Sequence, residues 1–193
     1  MRHSGPTLCT GWKRGESWLT DLIYFDTDCL SAFLWVKEEK ILTSLYSGRI
    51  MIPQQVYNEF TVPHLKQRAD TLINSGDAVL KSIMVSTPEF SLYSKLTSNP
   101  DAGHSIIGKG EAAALALASA QSGIVASNNL KDVVAYVTQL ALRHITTGDI
   151  MIEAYKASLI TESDGNTIWS AMLAKRRRIG AATFSDYLNS HAL

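Results

Sequence analysis

Leu22, Ile23, Tyr24 and Phe25 form a short unbroken apolar run that meets acidic residues at Asp26 and Asp28. A run of this kind between polar flanks predicts a strand buried on both faces. Between residues 30 and 45 the apolar positions 30, 33, 34, 41, 42 and 45 have helical spacing, in two pieces, and Gly48 ends the pattern. Residues 49–52 predict a second strand, and Pro53 suits the first turn of a helix completed over 54–60. The alternation continues with a helix over 65–73, a strand over 78–85, a short helix over 89–96 and a polar loop over 97–109. An alanine-rich helix over 111–121 follows, then a strand over 123–127, a helix over 130–141 and a strand over 142–146. Helices over 150–159, 167–177 and 183–189 complete the pattern. The polar stretch before residue 22 reads as an arm, or as a first helix near 16–21.

Strands that alternate with helices predict an α/β fold. The expected architecture is an α/β/α sandwich around a mostly parallel five-stranded sheet. The corresponding organisation is an arm over 1–20, a sheet-bearing body over 21–150 and a C-terminal helical extension over 151–193.

The chain has 193 residues, 46% of them hydrophobic, which is enough to build a core and too apolar for a disordered segment. Lysine plus arginine and aspartate plus glutamate both number 18, so a histone-like polycation is excluded. The charge is unevenly placed: residues 165–193 carry four basic residues against one acidic, +3, and the first 164 carry 14 against 17, −3. Two cysteines, Cys9 and Cys29, exclude a disulfide framework and point to a reducing cytoplasm. No apolar run approaches the length of a membrane span, and no signal-peptide core precedes residue 22.

In parallel α/β folds ligands sit beyond the carboxyl ends of the strands. Asp26, Thr27 and Asp28 follow the first strand, and Glu59 lies near the end of the helix after the second. Glu111 opens the alanine-rich helix. Ser127, Asn128, Asn129 and Asp132 follow the fourth strand, and Asp149 the fifth. Each has an ordinary structural role open to it: aspartate is a favoured N-cap, and glutamate suits a helix's first turn. Together they form a set of oxygen donors without histidine or cysteine, a set that suits Mg²⁺ or Mn²⁺. Such ions activate water for attack on phosphodiesters.

Three segments resemble the motifs of PIN-domain ribonucleases. Ile23 to Leu30 is similar to their opening strand and acid, Ile50 to Phe60 to their strand, proline, helix and glutamate, and Gly110 to Ala118 to their Gly-Glu-Ala helix start. The resemblance covers about residues 22–150. It implies that Asp26, Glu59 and Glu111 are the catalytic carboxylates and hold Mg²⁺ or Mn²⁺. It also implies a hydrolase, an endoribonuclease acting on single-stranded tRNA or mRNA. VapC-like toxins of type II toxin–antitoxin modules are common members, which implies a small antitoxin partner and a homodimer. The fourth motif departs from the family pattern, because Asn128 and Asn129 stand where an aspartate is usual. Asn129, Asp132 or Asp149 would complete the metal set. The departure also leaves open a catalytically degenerate PIN-like fold that binds nucleic acid or protein.

Gly103 to Gly110 nearly spells a phosphate-binding loop but lacks the final Ser/Thr, and no strand precedes it. Lys109 is read instead as a flexible cation beside the acids. Lys175, Arg176, Arg177 and Arg178 follow Ile168, Trp169, Met172 and Leu173, which share one helical face. Packing of that face would aim Arg176, Arg177 and Arg178 at nucleic-acid phosphates, although a basic helix end is also favoured by its own dipole.

Overall fold

The computed structural model describes residues 21–101 and 104–191, with the side chains of Leu130 and Asp132 outside the description. The expected arm over 1–20 lies outside the described residues. The strands are β1 (Ile23–Phe25), β2 (Ile50–Pro53), β3 (Ala78–Lys81), β4 (Ile124–Ala126) and β5 (Arg143–Ile145). All pair in parallel, in the order β3-β2-β1-β4-β5. The first strand is therefore the central one, with Ile23 opposite both Ile50 and Ile124.

The strands divide their side chains between two cores, as the two-residue strand period requires. Ile23, Phe25, Ile50, Ile52 and Ile124 face the larger core. There they meet α1 (Thr27–Val36), α2 (Glu39–Tyr46), α3 (Gln54–Glu59) and α4 (Pro63–Asn74). Tyr24, Met51 and Val125 face the other core, against α5 (Pro88–Ser98), α6 (Lys109–Gln121) and α7 (Leu130–Gln139). The expected three-layered α/β/α sandwich is the fold.

After β5 the chain returns to the larger core as α8 (Thr147–Lys156), α9 (Glu162–Ala174) and α10 (Phe184–His191). Ile150, Trp169, Met172 and Phe184 are buried in the same cluster as Ile23 and Phe25. Burial of a side chain of the Phe184 or Met172 kind stabilises by about 1.5–3 kcal/mol. Trp169 donates its indole N–H to the Ala181 carbonyl at 3.0 Å. The seat of α10 is tight: a Cβ on Gly148 would lie 2.2 Å from the Tyr187 ring. The Tyr187 hydroxyl donates to Asp149 Oδ1 at 3.1 Å and lies 3.0 Å from the Thr146 hydroxyl.

Several boundaries differ from the pattern-based reading; α9, for one, ends at Ala174 instead of residue 177, so the arginines lie beyond the helix. β3 ends at Lys81 instead of reaching residue 85, because β2, its only neighbour among the described residues, ends at Pro53, the partner of Lys81. α8 and α9 begin earlier than expected, at Thr147 and Glu162, because Thr146 and Thr161 cap them. In each case the threonine hydroxyl accepts from the backbone N–H three residues on, and the aspartate there accepts the cap's own N–H.

Candidate active site

Asp26 leaves the end of β1 as the N-cap of α1 and is only 1% exposed. Its Oδ1 accepts from Cys29 N–H at 2.7 Å, while its buried Oδ2 has no hydrogen-bond partner among the described residues. Burial pushes the Asp26 carboxyl up to about 7 in the metal-free protein. The Ser127 hydroxyl and the Cys29 N–H oppose the rise, and the charges of Asp28 and Glu111 add to it.

A cleft of about 190 Å³ opens beside Asp26, lined also by Asp28, Glu59 and Glu111. The two glutamates are aimed by backbone amides. Glu59, the last residue of α3, accepts Gly110 N–H at 2.9 Å and the Thr27 hydroxyl. A Cβ on Gly110 would lie 2.9 Å from both Glu59 Oε2 and Thr27 Oγ1, so only glycine leaves room for this approach. Glu111 sits in the first turn of α6, where it accepts the N-cap Gly108 N–H at 3.1 Å. Its other oxygen accepts the Asn129 side-chain amide at 2.6 Å.

The structure thus brings together Asp26, Glu59 and Glu111, with Asn129 at the margin. It does not bring in Asp149, whose oxygens serve the α8 cap and the Tyr187 hydroxyl. The side chain of Asp132 lies outside the described residues. The other asparagine, Asn128, ties β4 to α8: it accepts Thr147 N–H and donates to the Thr147 hydroxyl, both at 2.9 Å. Lys109 is the exposed first residue of α6, next to the Gly110 amide that holds Glu59.

The basic run reaches the same edge of the fold. A second cleft of about 210 Å³ lies between Asp28, Asn128 and Asn129 on one side and Arg176, Arg177 and Arg178 on the other. Arg177 Nη1 donates to Ser31 Oγ at 3.1 Å and lies 3.7 Å from Asp28 Oδ1. Pattern reading places Thr27 after the first strand without its role toward Glu59, and misses the amides of Gly108 and Gly110. Thr27 adjoins Asp26 in sequence, but its partner Glu59 lies 32 residues away and nothing local announces it.

Among the described residues no three His, Cys, Asp or Glu side chains are grouped closely enough to hold a metal ion as they stand. An open arrangement still suits Mg²⁺ and Mn²⁺. Mg²⁺ commonly takes one or two carboxylates and fills its other positions with water and substrate phosphate. The unpartnered Asp26 oxygen fits such an ion, because a buried carboxylate oxygen is costly unless a proton or a cation meets it.

A family model described as a PIN domain matches residues 22–192, from β1 through α10. No curated protein and no solved structure matches the chain. The PIN description fits the parallel five-stranded sheet and suggests nuclease-type chemistry. Among the described residues no helix is long and apolar enough to cross a membrane. With the match running from the central strand to the last helix, the chain belongs to the PIN-domain family.

Proposed function

We propose that this PIN domain is a Mg²⁺- or Mn²⁺-dependent endoribonuclease that hydrolyses phosphodiester bonds of single-stranded RNA, tRNA or mRNA. The observation that carries the reading is the buried Asp26 carboxylate, one oxygen of which has no hydrogen-bond partner among the described residues, beside a cleft lined by two amide-anchored glutamates. Asp26, Glu59 and Glu111 would hold the ion. Bound there, it would supply charge neutralisation for the phosphate and would acidify a bound water for attack. The chain's own contribution is placement. The capped start of α1 fixes Asp26, Thr27 and Gly110 aim Glu59, and Gly108 and Asn129 aim Glu111. Asn129 adds no charge at the margin, so this site binds its cation more weakly than one with aspartate at that position.

Cleavage of single-stranded RNA by the purified protein with Mn²⁺, abolished by Asp26→Ala, is the expected result. No cleavage, or equal cleavage by the variant, refutes the nuclease reading. The amide at Asn129 favours a second reading, a catalytically degenerate module that binds nucleic acid or protein. Calorimetric titration separates the two: no uptake of Mg²⁺ or Mn²⁺ alongside retained RNA binding selects the module.

The resemblance to VapC-like toxins supports a cytoplasmic role in a toxin–antitoxin pair, as a homodimer. An acidic cleft attracts a basic antitoxin segment. Growth arrest on expression, relieved by a neighbouring small protein, is expected. Harmless expression of an active nuclease refutes the toxin role.

A further inference from the structure

The arginine-lined cleft is unused by the carboxylate site, yet the two share walls. Asp28 lines both clefts. Asn129 lines the second and donates to Glu111 in the first. We propose that the Arg176–Arg178 cleft is a phosphate subsite: it holds one backbone phosphate of a single-stranded nucleic acid while a neighbouring phosphate lies among Asp26, Glu59 and Glu111. Only the placement of the neighbouring phosphate among the carboxylates rests on the nuclease reading.

The arginines are held in place by the fold. The Arg176 N–H donates to the Leu173 carbonyl at 2.8 Å and the Arg177 N–H to the Met172 carbonyl at 3.1 Å. Arg176 itself is in the left-handed region at φ 57°. A non-glycine residue there is uncommon and persists only where its surroundings hold it. The turn follows directly from α9, which buries Trp169 and Met172. The middle arginine has a structural task, since Ser31 and Asp28 on α1 hold it against the same helix that Asp26 caps. Arg176 and Arg178 flank it and are exposed.

Charge gives the ligand its sign. Three arginines against one aspartate leave this cleft with a formal +2, next to a cleft lined by four carboxylates. A polyanion approaching the carboxylates alone is repelled; a guanidinium pair on the adjoining wall supplies the attraction and fixes the register. The dipole of α9 accounts for basic residues at its end. It does not account for three arginines gathered with Asn128 and Asn129 in one concavity at the catalytic edge.

Fluorescence anisotropy in the presence of a chelator tests the subsite apart from the metal. The probes are a labelled oligouridylate and an oligothymidylate of equal length. The variants are Arg176→Gln and Arg178→Gln, which spare the structural Arg177. The control is Lys156→Gln, at the last residue of α8 and so at the opposite edge of the sheet. Each arginine variant is expected to bind both probes about 3–10-fold more weakly, with the slope of log K against log salt reduced by about 0.7. The control should stay within about twofold, since a remote charge acts only through a screened field. Equal losses in the control and the arginine variants overturn the subsite, as does an unchanged salt slope. Loss confined to the RNA probe also overturns it, because the contact would then not be to phosphate. Calorimetry with Mn²⁺ on the same variants should show metal uptake unchanged. If the native protein takes up no Mn²⁺, the nuclease reading falls, while the anisotropy result still decides the subsite.

Discussion

Replacing the buried acid should make the metal-free protein more stable. In Asp26→Asn the amide oxygen can still accept Cys29 N–H, and no charge is buried. The carboxyl titrates at about 7 when folded and near its ordinary 3.8 when unfolded, a gap of roughly 3 units. At about 1.4 kcal/mol per unit the gap corresponds to roughly 4 kcal/mol. The sign follows from proton binding. Below pH 3.8 both states carry the proton and nothing is lost. Between 3.8 and about 7 the unfolded chain ionises first, so native stability falls as pH rises. Above about 7 the full cost is present. Thermal unfolding in a chelator should therefore show the variant's advantage growing from near zero at pH 4 to about 2–4 kcal/mol at pH 8, or roughly 5–15 °C in Tm. Mn²⁺ should raise the Tm of the native protein and leave the variant nearly unmoved. A variant less stable than the native protein at pH 8, or an advantage independent of pH, would show that the Asp26 charge is not buried at a cost.

Asn129→Asp places a carboxylate against Glu111 in place of a 2.6 Å hydrogen bond. It should lower Tm in chelator and tighten Mn²⁺ binding, measured by calorimetry; unchanged affinity would remove this position from the metal site. Thr27→Val deprives Glu59 of its hydroxyl donor and should weaken Mn²⁺ several-fold with stability altered by no more than about 1 kcal/mol. Thr27→Ser should restore the affinity. Gly148→Ala drives a methyl into the Tyr187 ring and should cost about 1–3 kcal/mol in urea unfolding, despite the better helix propensity of alanine; a gain in stability would show that α10 can shift without loss.

Most of the sheet was legible because its strands are short, buried on both faces and set off by polar residues, as in Ile23-Tyr24-Phe25-Asp26. The starts of α8 and α9 were misplaced, although the sequence carries them in a different code. Threonine followed three residues later by aspartate marks a helix start, whereas the hydrophobic pattern begins only at Ile150 and Ile168. β3 was overextended because apolar alternation runs on past the point where a pairing partner exists. Asp26 stands out by its place after a strand, while Glu59 and Glu111 stand out through the resemblance to the PIN motifs. Their aiming groups do not, since Thr27–Glu59 and Gly110–Glu59 join residues 32 and 51 apart. Asp149 shows the converse: its position after a strand fits a ligand, and a helix cap and Tyr187 engage it.

The strand order has a mechanical consequence. β1 is hydrogen-bonded on both edges and covered on both faces, so Asp26 is anchored in the stiffest part of the molecule. Glu59 is the last residue of a six-residue helix and Glu111 lies in the first turn of another, at helix ends that fray more readily than their interiors. The site is therefore a fixed point with two compliant arms. If the three carboxylates hold a cation as proposed, movement of the two glutamates toward it need not disturb the sheet.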